Sequence, residues 1–113
     1  MDKKEPLVSV IMPAYNAEKF IGEAIDSILN QTFKDFEFII LDDCSTDKTW
    51  EIIQEYAKKD ERIIPVKNEK NLKISATLNR GIEMAKGKYI ARMDADDWSY
   101  PQRFEKQIRY MEE

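Results

Sequence analysis

The sequence predicts one α/β domain, built on a mainly parallel sheet with helices on both faces. Four short apolar runs typical of strands alternate with segments whose apolar residues recur at helical spacing. Parallel strands joined by helices need crossover connections, which place helices on both faces of the sheet. A proline in the third run indicates an edge strand, so we expect the strand order 3-2-1-4.

The four predicted strands are short and rich in aliphatic and aromatic residues. They cover residues 7–12, 36–41, 62–66 and 88–93. Pro13 closes the first and opens a loop over residues 13–16, and Asp42-Asp43 ends the second. Pro65 has no N–H for a ladder, which is why the third strand is expected at an edge.

Four helices are expected between and after these strands. The first spans residues 17–31, with a buried stripe of Phe20, Ile21, Ala24, Ile25, Ile28 and Leu29. The second begins after Ser45-Thr46-Asp47, where Asp47 is expected to cap it rather than to bind a ligand. The third is expected to stop at Gly87 as its C-cap. The last carries Phe104, Ile108 and Met111 on one side.

Composition excludes several classes of protein. The chain has no histidine and a single cysteine, Cys44, which rules out Ser/His triads, ordinary zinc sites and an internal disulfide. We expect Cys44 to be a small buried hydrophobe. A net charge of -4 argues against nucleic-acid binding. No apolar run approaches about 20 residues, so we expect a cytoplasmic protein that is at most peripheral at a membrane.

The fourth strand runs into three carboxylates within four residues, Asp94-Ala95-Asp96-Asp97. In an extended strand Asp94 and Asp96 point to one side and Asp97 to the other. Such a group can hold a hard divalent cation such as Mg²⁺. The alternative is a solvated acidic loop that caps the following helix.

Topology favours the cation site. In open α/β sheets the ligand crevice lies beyond the carboxyl ends of the strands, where the strand order reverses. The order 3-2-1-4 places residues 13–16 opposite the acidic run, with Asp42-Asp43 alongside; Asp42 itself is as apt to support a loop as to touch a ligand. Neither G-x-G-x-x-G nor a P-loop is present, and Trp98 and Ser99 violate the EF-hand pattern.

Several motifs, in order and spacing, resemble those of family-2 glycosyltransferases of the GT-A fold, over nearly the whole chain. They are residues 8–16 (VSVIMPAYN), Gln31-Thr32-Phe33, residues 41–47 (LDDCSTD), Asn71 with Ser75-Ala76 and Asn79, residues 87–90 (GKYI) and Asp94-Ala95-Asp96-Asp97. The resemblance implies an inverting enzyme that moves a sugar from a nucleotide-diphosphate donor to an acceptor hydroxyl. It also implies a role in polysaccharide biosynthesis.

The resemblance assigns a nucleotide-sugar site to the loops after the first two strands. Tyr15 is expected to lie against the base, with Pro13, Ala14 and Asn16 shaping the pocket. Asp43 is expected to accept a hydrogen bond from the edge of the base.

The resemblance also assigns the metal site to the D-x-D motif, Asp94-Ala95-Asp96. Asp96 is expected to bind Mn²⁺ or Mg²⁺, and Asp94 to contact the ribose or the metal shell, with Ala95 between them on the donor. Asp97 is a second metal candidate. Arg80 is expected either to contact the diphosphate or to be solvated.

Two features depart from the family pattern. Position 73 is Lys where a glycine is usual, and no general base for the acceptor is found, so we expect it beyond Glu113. Residues 1–113 are therefore expected to be the donor-binding portion of a truncated domain whose acceptor half is absent. The expected partners are a nucleotide-diphospho-sugar and a saccharide or lipid-linked acceptor, and exposed apolar surface would favour a homo-oligomer.

Two other functions stay open at this point. The chain could be a nucleotide-sugar-binding or assembly module without catalysis. It could also be a nucleotidyltransferase that makes the donor, although such enzymes want a glycine-rich loop after the first strand.

Overall fold

The structure, a computed structural model, describes residues 5–112 and contains a four-stranded parallel sheet of order β3-β2-β1-β4. The strands are β1 (Val8–Ala14), β2 (Phe36–Asp42), β3 (Ile63–Lys67) and β4 (Tyr89–Arg92). The predicted strand order is confirmed. β3 pairs only with β2, which explains how Pro65 is tolerated within it.

Four helices cover the sheet, namely α1 (Ile21–Leu29), α2 (Thr49–Lys59), α3 (Lys73–Met84) and α4 (Arg103–Glu112). α1, α2 and α4 pack against one face, where side chains such as Ile25, Ile28 and Phe104 join the core. α3 packs against the other face over Ile11 and Leu41. The three-layer prediction is therefore confirmed.

β1 is the centre of the sheet and is buried along its whole length. The predicted end at Met12 is too early, because Pro13 lies inside the strand opposite Leu41. Its ring is accommodated because β4 pairs with β1 only as far as Ile11. The side of Pro13 that lacks an N–H faces the gap that β4 has left.

α1 begins at Ile21, four residues later than predicted, and residues 18–20 form a turn. Phe20 was predicted in the buried stripe, but it is 55% exposed. Its spacing fits the helical stripe, yet it stands before the first helical residue and points away from the core.

Gly87 does not cap α3, which ends at Met84 with Ala85 in an extended conformation. Its φ is not positive. What requires glycine is a close approach to β1: a Cβ at this position would lie 2.6 Å from the backbone N of Ser9. The Gly87 N–H also donates to Ser9 Oγ at 2.7 Å.

Within residues 5–112, every helix is too short or too polar to cross a membrane.

We expect Gly87→Ala to destabilise the fold by about 2 kcal/mol, because its Cβ would meet backbone atoms that cannot move aside. Gly22→Ala is the matched control, since a Cβ there meets only Tyr56 Oη, at 3.6 Å. It should be neutral or stabilise α1 by up to about 0.5 kcal/mol. Urea denaturation measures both, and equal stability of the two variants would contradict the close-approach explanation.

Candidate functional site

The carboxyl ends of β1, β2 and β4 lie at the same edge of the sheet, as parallel pairing requires. Ala14 and Asp42 are register partners, and the N–H of Asp43 donates to the carbonyl of Ala14 at 2.8 Å. β4 leaves the sheet at Arg92, opposite Ile11. The loops after these three strands are thereby brought together, as the sequence predicted.

Two adjoining pockets open among these loops. The first, of about 380 Å³, is lined by Pro13, Ala14, Tyr15, Asp43, Asn71, Lys73, Ile74 and Thr77. The second, of about 410 Å³, is lined by Pro13, Tyr15, Asn16, Ala17, Phe20, Ile74, Asp94, Ala95 and Asp96. Tyr15, which is 52% exposed, is common to both and stands between Asp43 and the acidic run. Eight of the residues predicted for the donor and metal site line one pocket or the other, namely Pro13, Ala14, Tyr15, Asn16, Asp43, Asp94, Ala95 and Asp96, whereas the second metal candidate, Asp97, lines neither. Their individual roles stay predictions.

Asp43 is a buried carboxylate held by three donors. Its Oδ1 accepts from Asn68 Nδ2 at 2.9 Å and from the N–H of Leu72 at 2.7 Å. Its Oδ2 accepts from the N–H of Lys73 at 3.0 Å. These backbone donors belong to the first turn of α3, whose own N-cap side chain makes no capping bond. Asp43 therefore caps α3 from another element, where the helix dipole favours a negative charge.

The pKa of Asp43 lies below its ordinary value of 3.8. Burial acts to raise this pKa, but the hydrogen bonds from Leu72, Asn68, Thr77 and Lys73 together lower it by more. A carboxylate has about four lone-pair sites. The four donors just named share these sites, so a molecule in the first pocket, which Asp43 and Thr77 both line, would bind this carboxylate by displacing one of them.

The three carboxylates after β4 converge. Oxygens of Asp94, Asp96 and Asp97 all lie within 4.8 Å of one another. Asp97 was expected to face the other way, but that expectation assumed an extended strand. Residues 94–97 instead form a turn closed by the Asp97 N–H and the Asp94 carbonyl at 3.1 Å. An oxygen-only donor set of this kind fits Mg²⁺ or Mn²⁺.

Arg92 supplies a positive charge beside this cluster. Its guanidinium lies 3.2 Å from Asp94 Oδ1 in a half-exposed ion pair. The charge of Asp94 is thus partly countered, whereas the carboxylates of Asp96 and Asp97 are exposed. Asp96 is consequently the better placed of the motif carboxylates to meet a cation.

Three of the described residues other than glycine take left-handed backbone conformations at this edge, two in loops and one at the start of α3. They are Asn16, Cys44 and Lys73, with φ of 47°, 61° and 71°. Lys73 thus adopts the backbone typical of the glycine that the family usually has there. Left-handed backbone at such residues is strained by about 1–2 kcal/mol each, and such strain concentrates at functional sites.

Asn16 braces two loops. Its N–H donates to Ser45 Oγ at 2.9 Å, and its Oδ1 accepts from the N–H of Thr46 at 2.8 Å. The side-chain oxygen of Asn16 is therefore engaged by the loop after β2, although the residue lines the second pocket.

Cys44 was predicted to be buried, but it is only partly buried. Its left-handed backbone belongs to the turn after Asp43, so its position is determined by the loop and not by core packing. Asp42 is fully buried and supports the same loop, because its Oδ2 accepts from the N–H of Ser45 at 3.3 Å.

Asp47 acts as a cap, as predicted, from two residues before α2. It accepts from the N–H of Thr49 at 2.9 Å and also from the Thr49 hydroxyl. Burial acts to raise the pKa of Asp47, but the hydrogen bonds from Thr49 and Glu18 lower it overall. Arg80 follows the second of its two expectations, since it is exposed and lines neither pocket, and it donates to Asn68 Oδ1 at 2.5 Å.

Sequence reasoning missed several residues at this edge. Asn68 is 1% exposed, and its amide links Asp43 to Thr77 of α3 at 2.9 Å each. A usable signal existed, because Asn68 directly follows β3, as Asp43 follows β2. Phe20 was missed as a pocket residue because its spacing placed it in the buried stripe of the first helix, and no sequence signal singled out Ile74.

A larger groove of about 630 Å³ runs between β4 and α4, bordered by Ile90, Phe104 and Met111. None of the described residues that line it carries a carboxylate. The pockets at the strand ends are therefore the candidate functional site.

Comparison with known proteins identifies the family to which this chain belongs. The chain belongs to glycosyl transferase family 2, whose model matches residues 9–113. It is 56% identical to an uncharacterized glycosyltransferase of Methanocaldococcus jannaschii, over 99% of this chain and 39% of that protein. It is 43% identical to WfaP of Escherichia coli, a UDP-Glc:alpha-D-GlcNAc-diphosphoundecaprenol beta-1,3-glucosyltransferase, over 94% of this chain and 41% of that one. The chain thus spans about two fifths of the length of these relatives.

Solved structures of similar fold hold nucleotide sugars. Staphylococcus aureus TarS in complex with UDP-GlcNAc superimposes with a TM-score of 0.87 at 30% identity, over 93% of this chain and 31% of TarS. The mannosyltransferase PcManGT of Pyrobaculum calidifontis, in complex with GDP-Man and Mn²⁺, gives a TM-score of 0.77 at 27% identity. That match covers 84% of this chain and 29% of PcManGT. The fold is GT-A.

We expect Asp43→Asn to lower the free energy of unfolding by about 2 kcal/mol at neutral pH, because bonds to an ionised acceptor are lost. The folded pKa of Asp43 is depressed, so its contribution is complete above 3.8 and is lost as pH falls through the lower folded pKa. The stability gap between wild type and variant, measured by urea denaturation, should therefore close below about pH 4.

Asp60→Asn is the control, since Asp60 pairs with Arg62 just before β3, at the opposite end of that strand from Asn68. It should cost less than about 1 kcal/mol. A gap for Asp43→Asn that stays constant down to acid pH would contradict the role given to its ionised carboxylate.

Proposed function

We propose that residues 1–113 form the nucleotide-diphospho-sugar-binding portion of an inverting, metal-assisted glycosyltransferase. The acceptor would be a hydroxyl of a saccharide or of a lipid-linked sugar. The observation that carries the proposal is the position of Tyr15, which lines one pocket with the buried carboxylate of Asp43 and the other with two members of a convergent acidic cluster.

The nucleobase of the donor would bind in the first pocket. Its flat ring would lie against Tyr15, with Pro13 and Ala14 forming the floor by backbone. An imide N–H would donate to Asp43 in place of the Thr77 hydroxyl, and uracil offers such an N–H, which favours a uridine nucleotide. Since the other lone pairs of Asp43 hold α3 in place, base recognition would use a carboxylate that is already oriented.

The diphosphate belongs beside the acidic cluster. Asp96 and Asp94 would hold Mn²⁺ or Mg²⁺, with Asp97 close enough to add a ligand. Such an ion neutralises the charge that develops on a departing diphosphate, as a Lewis acid. Asn16 and Ala95 would border the donor where the two loops face each other.

The remaining parts of the reaction are assigned outside this chain. No described side chain near the pockets suits a general base for an acceptor hydroxyl, and the relatives are about two and a half times as long. We propose that the general base and the acceptor site lie in the part of the relatives that this chain does not span. A lipid-linked acceptor would place the enzyme on the cytoplasmic side, at a membrane surface.

The short span also supports a second candidate, a module that binds the nucleotide sugar without transferring it. The two functions differ in one assay. Hydrolysis of a UDP-sugar by the isolated chain would exclude the non-catalytic module.

We expect UDP with Mn²⁺ to raise the melting temperature of the chain, and Asp96→Asn to lose most of that shift, because a metal ligand is replaced by a neutral amide. Thermal denaturation with UDP, with Mn²⁺ and with both measures the metal-dependent part. A panel including GDP tests the choice of base.

Asp35→Asn is the matched control, an exposed aspartate just before β2, at the opposite end of that strand from Asp43. It should keep the full shift. If wild type binds UDP equally well without metal, or if Asp96→Asn behaves as Asp35→Asn does, the proposed metal site is wrong.

A further inference from the structure

The turn at residues 94–97, called the acidic turn from here on, is flanked by hydrogen bonds to the sheet on one side and to α1 on the other. On one side the N–H of Met93 donates to the carbonyl of Ile11 in β1 at 3.0 Å. On the other the N–H of Ser99 donates to Ser27 Oγ of α1 at 3.1 Å. The free span between these anchors is only residues 94–98, so its shape depends on where the second anchor lies.

The second anchor is built around Gln31, which directly follows the C-cap of α1 and is fully buried. Its Nε2 donates to the carbonyls of Tyr100 at 2.8 Å and of Ser27 at 3.1 Å. Its Oε1 accepts from the N–H of Phe104 in α4 at 3.0 Å. One amide therefore ties the end of α1 to the segment that leaves the acidic turn and to the start of α4.

Neighbouring bonds reinforce this anchor. The N–H of Thr32 donates to the carbonyl of Pro101 at 2.8 Å. From α4, Arg103 donates to Ser99 Oγ at 2.9 Å and to the carbonyl of Arg92 at 3.1 Å. Arg103 thus joins the residues on either side of the acidic turn, and Gln31 fixes the whole unit to α1.

A buried amide of this kind is more than core filling. An apolar side chain of the same length would fill the space, but it would leave the Phe104 N–H without its partner and the Tyr100 carbonyl with only its bond from the Arg103 N–H. Metal ligands must be held within a fraction of an ångström of the productive geometry, by groups whose own positions are locked. Gln31 is such a group, because it is fully buried and its amide is held by three hydrogen bonds.

We propose that Gln31 is a positioning residue for the divalent-cation site, setting the mutual distances of the Asp94 and Asp96 carboxylates through Tyr100 and Phe104. This rests on the proposed function, which places the cation there. Nothing in the inference requires Gln31 to touch the ion or the donor.

The test measures Mn²⁺ binding to the 113-residue chain by the electron paramagnetic resonance signal of the free ion, at a temperature where every variant is folded. Gln31→Met removes the amide and keeps an unbranched side chain. We expect it to weaken Mn²⁺ binding on the order of 10-fold, the size typical of lost supporting bonds at metal sites. Ser27→Ala, which removes only the Ser99 anchor and a local bond to Ala24, should weaken it less and provides the answer if Gln31→Met does not fold.

Tyr56→Phe is the matched control. It removes one tertiary hydrogen bond to α1, from Tyr56 Oη to the carbonyl of Gly22 at 3.3 Å, far along the helix from Gln31. It should lower stability without changing Mn²⁺ affinity. If the foldable anchor variants bind Mn²⁺ as tightly as Tyr56→Phe does, Gln31 is merely structural and the inference is wrong. If wild type itself takes up no Mn²⁺, the proposed function fails instead.

Discussion

The whole site depends on the parallel pairing of β1 with β2 on one side and β4 on the other. Because three strands run in one direction, the loops that follow them meet at one edge, however far apart they are in the chain. The pairing with β2 continues to Ala14, whereas that with β4 ends at Ile11. β1 is therefore unpaired on the β4 side beyond Ile11, and Tyr15, which follows β1, lines both pockets at this edge.

Carboxylates at this edge are of two kinds. Asp43 is buried and saturated by donors from α3 and Asn68, so its charge is compensated inside the protein. Asp96 and Asp97 are exposed, and among the described ion pairs of this cluster only that of Arg92 with Asp94 counters the charge. Asp43 therefore helps to hold the shape of the first pocket. The negative charges of Asp96 and Asp97 would be stabilised by a bound cation. The chain's net charge of -4 is therefore less informative than where the charges lie.

Much of this could be predicted from the sequence, because periodicity and breakers act locally. Apolar runs and Pro65 were enough for the strand order, and the strand order was enough to bring Asp43 and Asp96 to one edge. Errors arose where tertiary contacts decide. Phe20 has helical spacing but precedes the helix, and Gly87 serves a backbone approach to Ser9 that no local pattern reveals. Gln31 was visible as part of a motif, but its three partners lie 4, 69 and 73 residues away along the chain.

The left-handed backbones of Asn16, Cys44 and Lys73 bear on how this edge tolerates mutation. Surface loops ordinarily accept most residues, and glycine weakens them by adding freedom to the unfolded chain. At these three positions the ranking is altered, because glycine relieves a steric conflict that every branched side chain would worsen. We therefore expect glycine and asparagine to be the best tolerated replacements at these positions, and valine and isoleucine the worst.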